Sequence, residues 1–143
     1  MPLAVGSSGD GGDGDGGDRA SVFFERGRAV ADTRSSEYAI EMFLQGLALD
    51  PDNVAAHKEL RVIALRRKAD GGKDLGTLEK MKLKASLGKG DDHKQSMLKA
   101  EKLLAYNPGN VEWMISVATH ASRAGFQNAA DWFTEIARRA AGN

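Results

Sequence analysis

Apolar residues recur at three- and four-residue spacings from Ala20 onward, which is the period of an amphipathic helix. Two such runs, at residues 23–31 and 38–49, are separated by a polar break at residues 33–36. The pattern predicts a pair of helices of about 14 residues each. Because we find no convincing strand in the chain, we expect an all-α fold.

The two internal prolines stand where helices should end. Residues 50–53 read Asp-Pro-Asp-Asn and residues 107–110 read Asn-Pro-Gly-Asn, and a valine follows each. Proline lacks the amide hydrogen that a helix interior needs, while Asn53 can accept a hydrogen bond from the amides of a helix that begins at Val54. An apolar helix end precedes each copy and an apolar helix start follows it, which indicates an internal repeat.

The first copy resembles the tetratricopeptide repeat (TPR), a helix-turn-helix unit of about 34 residues with a W-x2-L-G-x2-Y, A-x3-F and P pattern. With Pro51 as the proline of the repeat, the matching positions are Phe23 (Trp), Gly27 (Gly), Val30 (Tyr), and Ala39 with Phe43 (A-x3-F). Arg26 departs from the pattern at the leucine position. Gly27 and Ala39 suit a close helix crossing, and we expect Phe23 and Phe43 to fill the space between the two helices.

The other two copies match less completely. The third begins at Val111, has Gly125 at its turn and ends with a helix predicted at residues 127–141. In the second, Pro108 follows Pro51 by 57 residues, about 23 more than one repeat. This excess is an insertion at about residues 69–91, before a second helix at about residues 92–106.

The resemblance implies one domain at residues 20–143, with repeats at 20–53, 54–110 and 111–143. Its expected architecture is a TPR-like superhelix of about three antiparallel helix pairs, with the insertion inside the middle pair.

The N-terminal segment has a different composition from the rest. Residues 6–18 contain only Gly, Ser and Asp, which cannot bury enough apolar area to offset the entropy of ordering. We therefore predict a disordered tail at residues 1–19. Its aspartates are oxygen ligands of the type that calcium prefers, but their spacing matches neither the helix-loop-helix calcium loop nor the Gly/Asp nonapeptide rolls.

The charge is balanced overall and uneven locally. The chain has 20 basic and 20 acidic side chains, yet residues 54–106 carry a net charge of +6. There is no cysteine, which excludes disulfides, thiolate zinc sites and cysteine nucleophiles. No apolar run is long enough for a membrane helix, so we expect no membrane partner and a cytoplasmic location.

The sequence offers no candidate catalytic residues. His57, His93 and His120 are scattered singly, without the spacing of a metal site, and the glycine–lysine segments lack the phosphate-loop pattern. His57 falls at the tryptophan position of the second repeat, where a packed interface histidine is the simpler interpretation. We expect no enzyme activity, no cofactor and no metal.

The TPR resemblance implies a concave groove that holds a protein or peptide partner. Transferred position by position, the groove residues are Phe24, Arg28, Lys58, Val62, Leu65, Arg66, Ile115, Thr119 and Arg123. Apolar side chains flanked by cations suit a partner segment with acidic and apolar residues. The leading hypothesis is a non-enzymatic adaptor or scaffold.

Three alternatives remain open at this point. The insertion can bind nucleic acid or another polyanion through Lys73, Lys80, Lys82, Lys84 and Lys89, although it has no aromatic residue to stack on bases. The chain can instead be an accessory subunit of an enzyme complex. The C-terminal helix has two apolar stripes, one of Trp132 and Ile136 and the other of Phe133, Ala137 and Ala140. One of them can support self-association.

Overall fold

The computed structural model describes residues 12–142, with side chains from residue 16 onward. Residues 12–142 form helices and no strand, which confirms the predicted all-α class. The helices are α1 (Gly12–Ala31), α2 (Ser36–Leu49), α3 (Val54–Ala69), α4 (Thr77–Ser86), α5 (His93–Tyr106), α6 (Val111–Ala124) and α7 (Gln127–Ala140).

The first helix begins earlier than the periodicity indicates. It starts at Gly12 rather than at Ala20, and thus takes in part of the segment predicted as a tail. Gly16 explains how such a glycine-rich segment packs, because a Cβ atom there would lie 2.9 Å from the carbonyl oxygen of Leu49. The rest of the predicted tail, residues 1–11, lies outside the described residues.

Glycines set the close packing of α1 against α2. A Cβ on Gly27 would lie 2.6 Å from Cδ1 of Phe43, and one on Gly46 would lie 2.3 Å from Cε1 of Phe24. The start of α1 meets the end of α2 at Gly16 and Leu49, so this helix pair is antiparallel. The predicted close crossing at Gly27 is confirmed, and the ring that accompanies Phe43 is Phe24.

The two proline turns build their helix starts in the same way. The side-chain oxygen of Asn53 accepts a hydrogen bond from Ala56 N at 3.0 Å, and that of Asn110 accepts one from Trp113 N at 2.9 Å. Gly125 ends α6 in the left-handed region at φ 89°, as its position predicts. These local expectations from the sequence are confirmed.

The middle of the chain departs from the expected antiparallel pairing. Late in α3, Arg67 pairs with Glu37 at the start of α2, so α3 is antiparallel to α2. Early in α5, Lys94 donates to the carbonyl of Ala48 near the end of α2, so α5 is antiparallel to α2 as well. Helices α3 and α5 therefore run in the same direction, because α4 and its loops let the chain return before α5 begins.

The two C-terminal helices pack on one another and on the middle of the molecule. Helix α6 packs between α5 and α7, and α7 also contacts α3. In the turn before α3, the side chain of Asp52 accepts hydrogen bonds from Asn128 and from the amide of Ala129 at the start of α7. In the described residues, no helix has the length and apolarity to cross a bilayer.

Candidate functional site

Four of the predicted groove residues come together in a shallow depression between α1 and α3. The depression has a volume of about 330 Å³ and contains Arg28, Lys58, Val62 and Arg66. Val62 is 52% exposed and supplies an apolar spot, while Ala31 and Asp32 extend the wall on the α1 side. The juxtaposition of α1 and α3 that the resemblance implies is present at this depression.

Ion pairs neutralise much of the positive charge predicted for this depression. Nε and Nη2 of Arg28 each donate a hydrogen bond to one carboxylate oxygen of Glu59 at 2.7 Å, and this contact lowers the pKa of Glu59. Arg66 Nη1 donates to Asp32 Oδ1 at 2.8 Å. Such exposed pairs contribute about 0–1 kcal/mol each, but they leave the depression with little net charge for an acidic partner.

Phe24 is not a groove residue, and that prediction is wrong. Its side chain is 4% exposed, and its ring centroid lies 5.3 Å from that of Phe43. The inner face of α1 runs through Ala20, Phe24 and Gly27 in steps of four and three residues, all of them buried. The TPR pattern placed the inner aromatic ring at Phe23, which is only half-buried. The predicted rotation of α1 about its axis was therefore wrong by one residue.

A second predicted position, Leu65, also lies outside the depression. It is 45% exposed on α3, one position away from Arg66, and does not line the space between α1 and α3.

The remaining predicted groove residues line a separate cleft between α6 and α7. This cleft has a volume of about 590 Å³ and is lined from α6 by Ile115, Thr119 and Arg123. From α7 it is lined by small side chains, among them Ala130, Thr134 and Ala137. The structure thus divides the single predicted groove between two surfaces.

Both walls of the α6–α7 cleft follow a helical face. The α6 positions 111, 115, 118, 119, 122 and 123 recur at helical spacings, and so do the α7 positions 127, 130, 131, 134, 137, 138 and 141. The cleft therefore follows both helices along almost their whole length. Ile115, which is 52% exposed, is the large apolar side chain that α6 exposes in its lining.

The ends of the α6–α7 cleft are charged. In the part of the chain that the structure describes, Arg123 makes no ion pair, whereas Arg138 pairs with Glu135. Asp131 Oδ1 accepts a hydrogen bond from Gln127 Nε2 at 2.8 Å. Arg123 is thus the cation of this cleft that is available to a carboxylate.

The centre of the molecule contains a buried pair that the sequence did not reveal. His57 is fully buried, with Nδ1 at 2.7 Å from Oε2 of Glu101 and Nε2 at 2.8 Å from the carbonyl oxygen of Pro51. Glu101 is 3% exposed, and its Oε1 has no hydrogen-bond partner among the described residues. The predicted packed histidine is confirmed at His57, and the carboxylate beside it was not predicted.

The charge state of this pair follows from its two acceptors. Burial by itself lowers the pKa of His57, but the charge and hydrogen bond of Glu101, together with the Pro51 carbonyl, raise it above its ordinary value. With an acceptor at each ring nitrogen, the imidazolium form donates both hydrogen bonds. The pair lies in the packed core, where both side chains line a small cavity of about 10 Å³.

The other two histidines stack on each other at the junction of α5 and α6. The ring centroids of His93 and His120 lie 6.1 Å apart, and Nδ1 of His120 is buried without a partner among the described residues. Burial, Arg123 and His93 lower the pKa of His120, which keeps its ring neutral. No group of three or more metal-ligating side chains occurs in the described residues.

The lysines of the insertion differ in their availability. Lys80 Nζ lies 2.7 Å from Oδ2 of Asp74, and the side chain of Lys84 lies over the ring of Trp113 at 5.6 Å. Lys73, Lys82 and Lys89 are exposed. The basic cluster is therefore smaller than the sequence indicates.

The C-terminal helix buries more of its apolar surface than its stripes suggest. Phe133 and Ala137 are buried, and Trp132 and Ile136 are half-buried against the core. Only Ala140 of the two stripes is exposed. Apart from the small side chains that line the α6–α7 cleft, little apolar surface of α7 is left for self-association.

Comparisons of the chain with family models, with curated proteins and with solved structures find no match. The TPR resemblance therefore stays a prediction that rests on the residues and turns described above.

Proposed function

We propose that the protein is a non-enzymatic protein-interaction module that holds a helical segment of a partner in the α6–α7 cleft. This is the function that the TPR resemblance implies, and the α6–α7 cleft is the structural feature that supports it. It is an elongated, open-sided space of about 590 Å³ with a largely apolar lining.

The small residues of the cleft favour a helix as its occupant. Ala118 and Thr119 on α6 face Ala130, Thr134 and Ala137 on α7, and small side chains let a third helix approach closely. Lining positions extend from residue 111 to 123 on α6 and from 127 to 141 on α7. At 1.5 Å per residue, about 13 residues of a partner helix would span this length of roughly 20 Å.

The charges of the cleft set the chemistry of the partner. Ile115 is an exposed apolar side chain that a partner can cover, and contacts of this kind supply most of the affinity in helix-in-groove complexes. Arg123, which has no ion pair in the described residues, would orient a partner carboxylate at one end. The partner segment is therefore an amphipathic helix with an apolar face and an acidic residue near one terminus.

Site-specific photo-cross-linking tests this function. A benzophenone amino acid is placed at Thr119, inside the cleft, and in a matched control at Val22, an exposed position on α1. A partner that is cross-linked from Thr119 and not from Val22 is identified and purified. Ile115→Glu and Arg123→Glu should each weaken its binding about tenfold or more, with unchanged helical content by circular dichroism.

Leu65→Glu distinguishes the two surfaces. It places a charge at an exposed apolar position on α3, outside the cleft. If Leu65→Glu abolishes binding while Ile115→Glu does not, the binding surface lies on α3 and the proposed cleft is wrong. Equal cross-linking from Thr119 and Val22 would also contradict the proposal.

A further inference from the structure

Helix α4 has apolar side chains on two opposite faces, although none of its residues is buried. Leu83 is half-buried and lines a shallow pocket with Leu44 and Leu98, and the flanking Leu75 and Leu87 pack against the core. These three leucines attach the insertion to the rest of the molecule. They account for one face of the helix.

The opposite face of α4 is directed away from the molecule. Leu78 is 67% exposed and Met81 is 60% exposed, the two highest values among the large apolar side chains described as exposed. At 100° per residue, Leu78, Met81 and Ala85 lie within an arc of about 60°. This outer face is formed by Leu78, Met81 and Ala85, and packing within the chain does not explain its apolar character.

The charges around the outer face are predominantly positive. The carboxylates in and just before α4 are occupied, since Asp74 pairs with Lys80 and Glu79 pairs with Lys102. Asp70 and Asp91, nearer the ends of the insertion, make no ion pair in the described residues. In the described part of the chain, no ion pair involves the exposed Lys82 and Lys89. Lys82 lies one helical turn after Leu78, at the edge of the outer face. An apolar patch of this kind is complementary to an acidic, amphipathic surface.

We propose that the outer face of α4 is a docking site for an acidic amphipathic helix of a protein partner. Leu78 and Met81 would insert between the apolar side chains of that helix, and Lys82 and Lys89 would pair with Glu or Asp at its flanks. The site is separate from the α6–α7 cleft. The protein would therefore contact partners through two surfaces.

A protein fits this face better than other anionic partners do. Residues 69–91 contain no aromatic side chain to stack on bases, and the most exposed positions are apolar rather than basic. The helix has 10 residues and only two large apolar side chains on its outer face. Stable binding to a membrane surface takes a larger apolar face than this.

A peptide-display selection on the full chain tests the proposal. The probe is a library of random peptides of about 16 residues, long enough for roughly four helical turns. Peptides are collected that bind the full chain and do not bind the double variant Leu78→Ser/Met81→Ser. They should be enriched in Glu and Asp around apolar residues spaced three and four apart, and the double variant should weaken them about tenfold or more.

Matched variants assign the binding to this face. Lys82→Glu/Lys89→Glu should weaken the selected peptides and reduce the salt dependence of their binding. Val62→Ser/Leu65→Ser removes two comparably exposed apolar side chains from α3 and should leave the affinity unchanged. Ile115→Glu in the α6–α7 cleft should also leave it unchanged, so failure here and failure of the cleft proposal are distinguishable.

Each opposite result overturns the proposal. It is wrong if no peptide distinguishes the full chain from the Leu78→Ser/Met81→Ser variant, or if the selected peptides lack acidic residues. It is equally wrong if duplex DNA, single-stranded RNA or vesicles of phosphatidylserine and phosphatidylcholine bind in a way that Lys82→Glu/Lys89→Glu abolishes while acidic peptides do not bind.

Discussion

The α1–α2 pair and the middle of the molecule are built by different means. In the α1–α2 pair, glycine lets the helices touch, with Gly27 against Phe43 and Gly46 against Phe24. In the middle, α3 and α5 run in the same direction and meet at the buried His57–Glu101 pair. Close packing holds α1 against α2, whereas a hydrogen-bonded charge pair lies between α3 and α5.

The difference follows from the length of chain between the helices. Because only four residues connect α1 and α2, α2 has to pack antiparallel to α1. Between α3 and α5, the insertion with α4 lets the chain reverse twice, so the pairing is decided by tertiary contacts. The relative direction of two helices is therefore predictable when the link between them is short, and not when it is long.

The largest expected effect on stability is at the buried His57–Glu101 pair. His57→Leu leaves the Glu101 carboxylate buried without a partner, and should lower the free energy of unfolding by about 3–5 kcal/mol. Urea denaturation followed by circular dichroism measures this change. The double variant His57→Leu/Glu101→Leu removes both charges and should recover most of the loss; a double variant as unstable as the single one would contradict this account.

The pH dependence of stability identifies the charge state of the same pair. Because the folded protein raises the pKa of His57, the pair contributes its full stability below the unfolded pKa of about 6.5. This contribution is lost as the pH rises through the higher folded pKa. The stability of the wild type relative to the double variant should therefore fall as the pH rises, and a difference independent of pH would indicate a neutral pair.

The second-largest effect is expected from the close packing of α1 against α2. Gly27→Ala places a methyl group 2.6 Å from the Phe43 ring, and should destabilise the protein by about 1–3 kcal/mol. Gly17→Ala is the matched control on the same helix, because a Cβ there would meet no atom within 4 Å outside the adjacent backbone of α1. It should stabilise α1 by up to about 1 kcal/mol through helix propensity. Equal thermal unfolding temperatures for the two variants would refute the role of Gly27.

The smallest effect concerns the two proline turns, which precede α3 in the middle of the molecule and α6 after it. Asn53→Ala and Asn110→Ala each remove a helix N-cap and should cost about 1 kcal/mol. Asn53 also donates to Asp50 Oδ2 at 3.0 Å, so its replacement should cost slightly more. Replacement by Ser retains a capping oxygen and should recover most of the stability in each case. If Asn53→Ala alone has an effect, the two turns are not equivalent.

Local features were predictable where neighbouring residues act on one another. Pro51 and Pro108 mark helix ends, Asn53 and Asn110 cap the next helices, and Gly125 makes its turn, because each depends on backbone chemistry within a few residues. Phe24 was misplaced because the choice between Phe23 and Phe24 depends on the rotation of α1 against α2.

The candidate surfaces were predictable only in part. Arg28, Lys58, Val62 and Arg66 do share one depression, but their charge depends on the partners Glu59 and Asp32, which the repeat pattern does not specify. The α6–α7 cleft could have been anticipated from the small residues at helical spacing on α7. The outer face of α4 could not, since Leu78 and Leu83 look alike until the packing direction of that helix is known.

The sequence by itself determined the all-α class, the positions of most helices and the two capped turns, because propensity, proline and side-chain caps act locally. Only the tertiary structure decided that α3 and α5 run in the same direction, that His57 meets Glu101, and that α4 leaves Leu78 and Met81 exposed. Those outcomes depend on contacts between residues far apart in the chain, and a helical periodicity shows which residues share a face without showing what that face will touch.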